Sequence, residues 1–494
     1  MTHRAPKPAS LRTPAVSSLL FGAVCVLLAG CASRAPVAEP PPKVDLPAAW
    51  AQAAQSTQQA APDKDWWQRF GSPELARLVD EGRAGNLELA GALARVRQAE
   101  AGARIAGVAL LPTANVYSNA NRAVPIRSGS GSSSTSADTA LQVSYVIDFW
   151  GKNKASVASA EASLEANRFD RETVALTVTS GIVSTYLQVL SLRDRLAVAR
   201  GHVANAEHVL ARVEAQKNAG AASTLDLARQ RSAVAQQQSG ILDLLQQERE
   251  AQGALAILLG KAPQTFSVAG QSLDAIALPE VAPGLPSALL ARRPDIRRAE
   301  ASLAAANADV AVARANLFPS ISLTGSMGAQ SSALLSLLNA PNLLANVSTS
   351  LMAPIFDGGR LKRERERAIA RRQELVDAYR ASVIGALAEV DTALGQIRSL
   401  DEQQRLKTIE SDQARQAYEL AEIRYKLGAE EFMTVLDTQR ALADVQNDLG
   451  MLKLRRLQAT VSLYKALGGG WQDERSTGSP APAKSSSGAM PPAR

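Results

Sequence analysis

Cysteine and histidine are the side chains best suited to metal ligation and nucleophilic chemistry. The 494-residue chain holds two cysteines, Cys25 and Cys31, and three histidines, His3, His202 and His208. His202 and His208 stand six apart, and on a helix of 3.6 residues per turn that is about 600° of rotation. They do not share a face, and both read as solvated helix residues. With no histidine pair and no cysteine pair left once a leader is removed, no zinc or iron site is expected. No G-x-x-x-x-G-K-[ST] cradle for a nucleotide occurs. Acids and bases are spread along helical stretches, where charged faces are ordinarily solvated. These residues argue against an enzyme and against any bound cofactor.

Cys31 carries a different chemistry. Residues 1–30 read as a secretory signal: Arg4, Lys7 and Arg12 form a basic start, and Val16 to Leu28 a short apolar stretch. Leu28-Ala29-Gly30-Cys31 then resembles the lipobox of bacterial lipoproteins. There the cysteine becomes the acylated N-terminus, so a covalent lipid on Cys31 is expected to anchor the chain to a leaflet. The leader accounts for three of the +7 net charges, leaving +4, too little and too dispersed to indicate nucleic acid. Residues 32–62, rich in Pro, Ala and Gln, read as a tether, and the Ser/Pro/Ala-rich tail from Gln472 as disordered.

Ala and Leu are the commonest residues, with many Arg, Gln and Glu as in long helices, and aromatics are only 4%. No unbroken apolar run of about 18 residues, the length of a spanning helix, follows the leader. The chain does repeat itself. Arg97-Gln98-Ala99-Glu100 returns as Arg297-Arg298-Ala299-Glu300, Leu111-Pro112 as Phe318-Pro319, and Leu225-Asp226 as Leu436-Asp437. The segment 147–152 aligns with 355–360, and Leu259-Gly260 with Leu467-Gly468, 208 residues on. Each copy reads as a helix (73–110, 286–317), two strands, one very long helix, a turn and a return helix.

The strands alternate with period two. Leu141, Val143, Tyr145, Ile147 and Phe149 interleave with Gln142, Ser144 and Asp148, and Ile321, Leu323, Met327 and Ala329 with serines and Thr324. Val347, Leu351 and Ile355 face away from Ser348 and Ser350, and the first strand sets Ala114 and Val116 against Asn115, Asn119 and Asn121. About ten residues suffice to cross an outer membrane when tilted, apolar side to lipid and polar side to a wet lumen. Tyr117, Tyr145, Phe149, Trp150, Phe318 and Phe356 lie in or beside these strands, as an interfacial girdle requires. The Ser/Gly loop 128–134 is expected outside the cell.

The long helices follow heptads. Ile369, Val376, Val383, Val390 and Ile397 recur every seven residues in 360–426, and Ile182, Val189, Leu196, Val203 and Leu210 do so in the first copy. Such a repeat imposes a left-handed supercoil with a neighbour. At 1.5 Å per residue, 360–426 spans about 100 Å. Four strands cannot close a barrel, and an open edge in lipid is not tolerated. Closure must come from several chains, two giving eight strands and three giving twelve, of which eight would fill their own interior.

The segments Leu289-Leu290-Ala291-Arg292-Arg293-Pro294-Asp295-Ile296, Asn316-Leu317-Phe318-Pro319-Ser320-Ile321 and Pro354-Ile355-Phe356-Asp357-Gly358-Gly359-Arg360 resemble the outer-membrane efflux proteins, TolC-like channels. So do Arg424-Tyr425-Lys426-Leu427-Gly428, 435–440 and Ala466-Leu467-Gly468-Gly469-Gly470-Trp471, over about residues 40–471. The lipobox points to the OprM/NodT-like lipoprotein branch. The resemblance implies a mainly α protein with a membrane β-barrel: a homotrimer whose 12-stranded barrel continues as an α-helical coiled-coil barrel. It implies a signal peptide (1–30), an acylated linker (31–72), a first efflux repeat (73–260, strands near 112–122 and 139–149) and an equatorial linker (261–285). A second repeat (286–470, strands near 319–330 and 345–356) and a disordered tail (471–494) complete the chain. It further implies a periplasmic adaptor and an inner-membrane pump, commonly of the resistance–nodulation–division class, as partners, and an exit duct for drugs or other toxic compounds. A type I protein-secretion duct and a structural coiled-coil lipoprotein are the alternatives.

Both helix–helix turns carry cap residues. Gly220 and Gly428 suit helix C-caps, and Ser223 or Thr224, and Thr434, suit N-caps of the return helices. The resemblance makes these turns, with Val435, the mouth of the tunnel and the contact for adaptor hairpins. It assigns Met433, Asp437 and Arg440 to a gate that holds the mouth shut, with Asp226 as the repeat-related acid. Phe432 and Met433 stand where tyrosine and leucine are common in the family, which softens the expected constriction. From the residues alone, Asp437 and Arg440 could equally form a helix-surface pair.

Overall fold

The structure is a computed structural model and describes residues 42–51, 63–124, 134–331 and 343–471. Cys31, the leader, most of the Ser/Gly loop and the tail from Gln472 lie outside the described residues. Eight helices among these are α1 (Pro73–Gly85), α2 (Leu87–Val108), α3 (Lys152–Asn218), α4 (Thr224–Leu258), α5 (Leu289–Arg292), α6 (Pro294–Ala315), α7 (Arg360–Lys426) and α8 (Phe432–Ala466). Four strands are β1 (Thr113–Ala123), β2 (Ser134–Ile147), β3 (Ser320–Ser331) and β4 (Leu343–Met352). Both halves share the order expected from the repeat, and α3 and α7 each have 67 residues.

The chain divides into two compact units. One, residues 99–164 and 302–376 of the described chain, holds an antiparallel meander in the order β1-β2-β3-β4. Its registers bring the sequence alternation into line across all four strands. Val116 pairs with Leu141, Leu141 with Met327, Tyr145 with Leu323, Ile147 with Ile321, and Ile321 with Leu351. Because side chains alternate faces, these residues share one apolar face. The other face carries Asn115, Asn119, Gln142, Ser144, Ser322, Thr324, Ser348 and Ser350, with Asp138 beside Asn119. Val146, Leu344 and Met352 are the large apolar exceptions on it. Tyr117 pairs with Ala140 and so lies on the polar face, not in an apolar girdle.

The strand ends differ from expectation in three places, the first being that β2 begins at Ser134, five residues before 139. β4 stops at Met352, leaving Ile355 and Phe356 beyond it and over nine-tenths exposed. Pro354 has no N–H to give to a ladder. β2 stops at Ile147, because Asp148 turns to cap α3, accepting from the Asn153 and Lys154 amides at 2.9 Å each. Asp357 does the same for α7, accepting from Gly359 and Leu361 at 2.9 Å. These caps are 209 residues apart, one step off the 208-residue alignment. Trp150 stacks on Phe318 with centroids 4.6 Å apart, meets Phe149 edge-on, and donates from Nε1 to the Pro319 carbonyl at 2.7 Å.

The second unit comprises residues 42–98, 165–301 and 377–471 of the described chain. Its principal core joins Leu75 and Leu78 of α1 to Ile182, Leu187 and Leu190 of α3 and Leu255 of α4. Trp66 and Phe70 are buried there too, and Trp66 stacks on Tyr464 at 4.8 Å. Trp50 is buried in a second cluster with Val383 and Val390 of α7, and donates to the Gly284 carbonyl at 2.9 Å. The segment 31–72 is therefore not a tether throughout, since its aromatic residues gain far more by burial than by solvation. The heptad positions Ile182, Val189, Leu196, Val383 and Val390 are all buried, as a supercoiled seam demands. An 18-residue stretch of α3 reaches a mean hydropathy of 1.4, and more than half of it is buried in this core.

The helices expected over 73–110 and 286–317 are each broken. Asn86 leaves the helical region, caps α2 by accepting from the Leu89 amide at 2.9 Å, and donates to the Leu258 carbonyl at 2.8 Å. Pro294 drives Arg293 to an extended conformation. Arg293 is then buried, with its guanidinium on Asp295 (2.7 Å), Glu389 (2.7 Å) and the Ala466 carbonyl (2.9 Å). Burial works against this charge, but the hydrogen bonds the guanidinium donates to Asp295 and Glu389 outweigh it and hold it firmly protonated. Gly468, Gly469 and Gly470 all have positive φ, and a Cβ at 468 or 470 would strike the Arg292 or Asp63 carbonyl.

Candidate functional site at the helix turns

The two helix–helix turns lie side by side. Tyr425 Oη bonds Gln216 at 3.0 Å, Arg212 pairs with Glu422 at 2.5 Å, and Asn205 donates to Tyr418 Oη at 2.7 Å. The last turns of α3 and α7 are thus level and parallel. An apolar cluster of Val213, Leu227, Tyr418, Phe432, Val435 and Leu436 fills the space between the two hairpins. Arg212 and Lys426 hold the Glu422 carboxyl below its ordinary value against a burial that favours the neutral acid.

The turns themselves close as the cap residues predict, with one correction. Gly220 takes φ 76° and Gly428 φ 72°. The Ala221 amide reaches the Gln216 carbonyl at 2.8 Å, and Ala429 reaches Arg424 at 2.9 Å. This is the left-handed ending that glycine favours. Ser223, not Thr224, is the N-cap of α4. Its Oγ accepts from the Asp226 amide at 3.1 Å while the Asp226 carboxylate accepts from the Ser223 amide at 3.2 Å, a reciprocal capping box. Thr434 is not a cap. α8 starts at Phe432 after Glu431, and the Thr434 hydroxyl donates to Glu430 at 3.1 Å. Burial of Phe432 against Tyr425 sets that start three residues early.

Met433, Asp437 and Arg440 are exposed and share one face of α8, at positions i, i+4 and i+7. Val435 lies on the opposite face and is buried, as is Leu436 at the border of the exposed face, so the Val435 side chain does not belong to the turn surface. Among the described residues Asp437 and Arg440 make no ion pair with each other, and Asp226 spends its carboxylate on the cap. Sequence reading missed Gln216, Tyr418, Tyr425 and Gln230, whose amide donates to the Ala206 carbonyl at 2.7 Å in the core. Their only signal was a polar residue at a position where the heptad points inward.

His202 is half-buried rather than solvated. It lines a 330 Å³ cleft with Arg195, Gln237, Asp243 and Asn447. Burial lowers its imidazole below the ordinary value, and a bond with Gln446 pulls partly back. No group of three or more potential metal ligands exists among the described residues.

A sheet with one apolar and one hydrated face, and two level helical hairpins, arise here from one duplicated pattern. The profile of the outer membrane efflux protein family matches that duplication at residues 78–261 and 285–469. The chain belongs to the outer membrane efflux protein family. It is 42% identical over 473 residues to the pyoverdine export outer membrane protein OpmQ of Pseudomonas aeruginosa, covering 93% of this chain and 98% of that one. It is 32% identical over 481 residues to the outer membrane protein OprJ of the same species, covering 94% and 98%. Among solved structures, the outer-membrane channel OprN matches with a TM-score of 0.80 at 27% identity, over 88% of this chain and 99% of that one. The MtrE channel of Neisseria gonorrhoeae in its open state matches with 0.80 at 27% identity, over 87% and 97%. This efflux-family chain is accordingly an outer-membrane protein with the TolC-like channel fold, and its relatives are channels rather than enzymes.

Proposed function

We propose that the chain is the exit duct of a tripartite efflux pump, passively conducting small compounds from the periplasm to the outside. The observation that carries this reading is the sheet. Its four strands present one mainly apolar face, interrupted by Ser118, Arg122, Thr139 and Thr349, and one hydroxyl- and amide-rich face, and β1 and β4 are exposed edges. Each unpaired backbone group in hydrocarbon costs several kcal/mol (about 2–7 by transfer), so the edges must pair with other copies. Three copies give twelve strands and a lumen, in keeping with a homotrimer. A lipid on Cys31 would aid insertion, while closure comes from trimerisation.

The turns at Gly220–Thr224 and Gly428–Thr434 would meet adaptor hairpins, and an inner-membrane pump of the resistance–nodulation–division class would supply the energy. Met433, Asp437 and Arg440 form the proposed gate: on one exposed face, without an ion pair among the described residues, three copies would bring three carboxylates and three guanidinium groups to the mouth. Charge-assisted bonds between them close it and favour cations in the pore. The first cargo reading is drugs or other toxic compounds. The relatives named for pyoverdine export, 42% and 43% identical, favour a second, an exported small molecule of that kind.

The test is single-channel conductance of the mature protein in a planar bilayer beside Asp437→Ala, with the mass of the detergent-extracted oligomer. Small cation-selective steps from a trimer, enlarged in the variant, are expected. Absence of conductance from a monomer would overturn the duct and favour a coiled-coil spacer.

A further inference from the structure

The cleft beside His202 is built by α3, α4 and α8 of one chain and lies within the second unit. Val198, Ala199, Leu244 and Ala443 give it an apolar lining. Gly240 on α4 lines it too and adds no side chain. A Cβ there would meet nothing within 4 Å, so the cleft stays open at a point where glycine only weakens the helix. Two buried acceptors among the lining residues, His202 Nε2 and Gln237 Oε1, have no hydrogen-bond partner among the described residues. The bond with Gln446 favours the charged imidazole, so the ring is the donor in it. Because Nε2 is without a partner, Nδ1–H gives that bond. Burial favours the neutral ring, whose Nε2 then presents a bare lone pair to the cleft.

The two ends of the cleft differ. α3 and α4 run antiparallel, with Arg193 on Glu248 and Glu207 on Gln238. His202 and Gln237 therefore share one end of the lining, and Arg195 stands at the other, two helical turns from His202. Arg195 Nε is already given to Asn447 at 2.8 Å. Exposed Asp243 lies between the ends, at the rim. Two neutral lone pairs and a carboxylate thus face a molecule seated on the apolar lining. A purely apolar molecule would leave both buried acceptors unanswered, which costs free energy, and an acid would bring further lone pairs to them. We propose that this cleft is a binding site for a small organic amine. Its ammonium donates to His202 Nε2 and Gln237 Oε1 with the Asp243 carboxylate near the charge, and its apolar body lies along Val198, Ala199 and Leu244. A cleft of 330 Å³ has room for a body of one ring. Every group the site uses comes from one chain, so the inference does not rest on the duct reading.

Saturation-transfer NMR on the full-length membrane-extracted protein tests it, with phenethylamine and phenylacetate as probes of similar size and opposite charge. Phenethylamine should bind saturably, and phenylacetate at least tenfold more weakly. Gln237→Leu removes one acceptor, and Gly240→Leu fills the cleft while leaving both acceptors in place. Each should weaken amine binding at least tenfold with the native mass of the protein unchanged. Should Gln237→Leu disturb folding, Gly240→Leu still reads the site, because its side chain enters open space. Phenylacetate bound as tightly as the amine would make Arg195 the anchor and overturn the proposal. No saturable signal, or amine binding equal in the parent protein and Gly240→Leu, would overturn it as well and leave the two acceptors to water.

Discussion

Tyr425 Oη and Gln216 stand 3.0 Å apart, joining the last turns of α3 and α7. The two residues are 209 positions apart, nearly the period of the repeat, so duplication in sequence becomes level pairing in space. α3 and α7 have equal length and equivalent aspartate caps at their starts. Their last turns lie side by side. Tyr425→Phe removes the bond while keeping the ring on Phe432. A loss of about 0.5–1.5 kcal/mol is expected, read by denaturant midpoint; no change would mean the pair does not hold the hairpins level.

The caps of the return helices are unequal. Ser223→Ala breaks a capping box and should cost about 0.5–2 kcal/mol. Thr434→Ala breaks only a hydroxyl bond to Glu430 and should cost less. Limited proteolysis at the two turns measures the difference, and equal sensitivity would restore Thr434 to a capping role.

The faces of the sheet make a paired prediction. Val347 and Asn346 are neighbours on β4 but face opposite sides. Val347→Lys puts a charge toward lipid, at a cost of up to about 2–4 kcal/mol near the midplane, and should reduce membrane insertion. Asn346→Lys faces the hydrated side and should insert normally while shifting ion selectivity toward anions. The reverse result would invert the faces.

The Arg293–Asp295 pair fixes an acid limb. Burial would raise the Asp295 carboxyl, but Arg293 outweighs it and holds it below the ordinary 3.8. Its contribution to stability is therefore complete above that value and lost as pH falls through the lower folded value. Asp295→Asn should flatten the thermal stability profile below about pH 4. Arg293→Met at neutral pH leaves the Ala466 carbonyl without its donor and should cost about 1–3 kcal/mol.

Period and spacing alone determined much of this protein. Strand alternation, heptads and the 208-residue repeat are local and cumulative, so they located four strands, the 67-residue helix 360–426 and a long counterpart in the first copy, and led to the expectation that four strands need partners. Composition gave only the expectation of no metal or nucleotide site. Residues decided by their neighbours were not legible in this way. Trp50 read as part of a Pro/Ala/Gln-rich tether, yet it is buried, because helices distant in sequence supply the surface that covers it. Thr434 has the chemistry of a cap, but burial of Phe432 starts the helix earlier. Asp226 and Asp437 are related by the repeat, and only the fold separates a carboxylate consumed by its own cap from one left on an exposed face. A side chain's type and period set which face it occupies; what meets that face depends on chain brought from elsewhere, and that is a property of the tertiary structure.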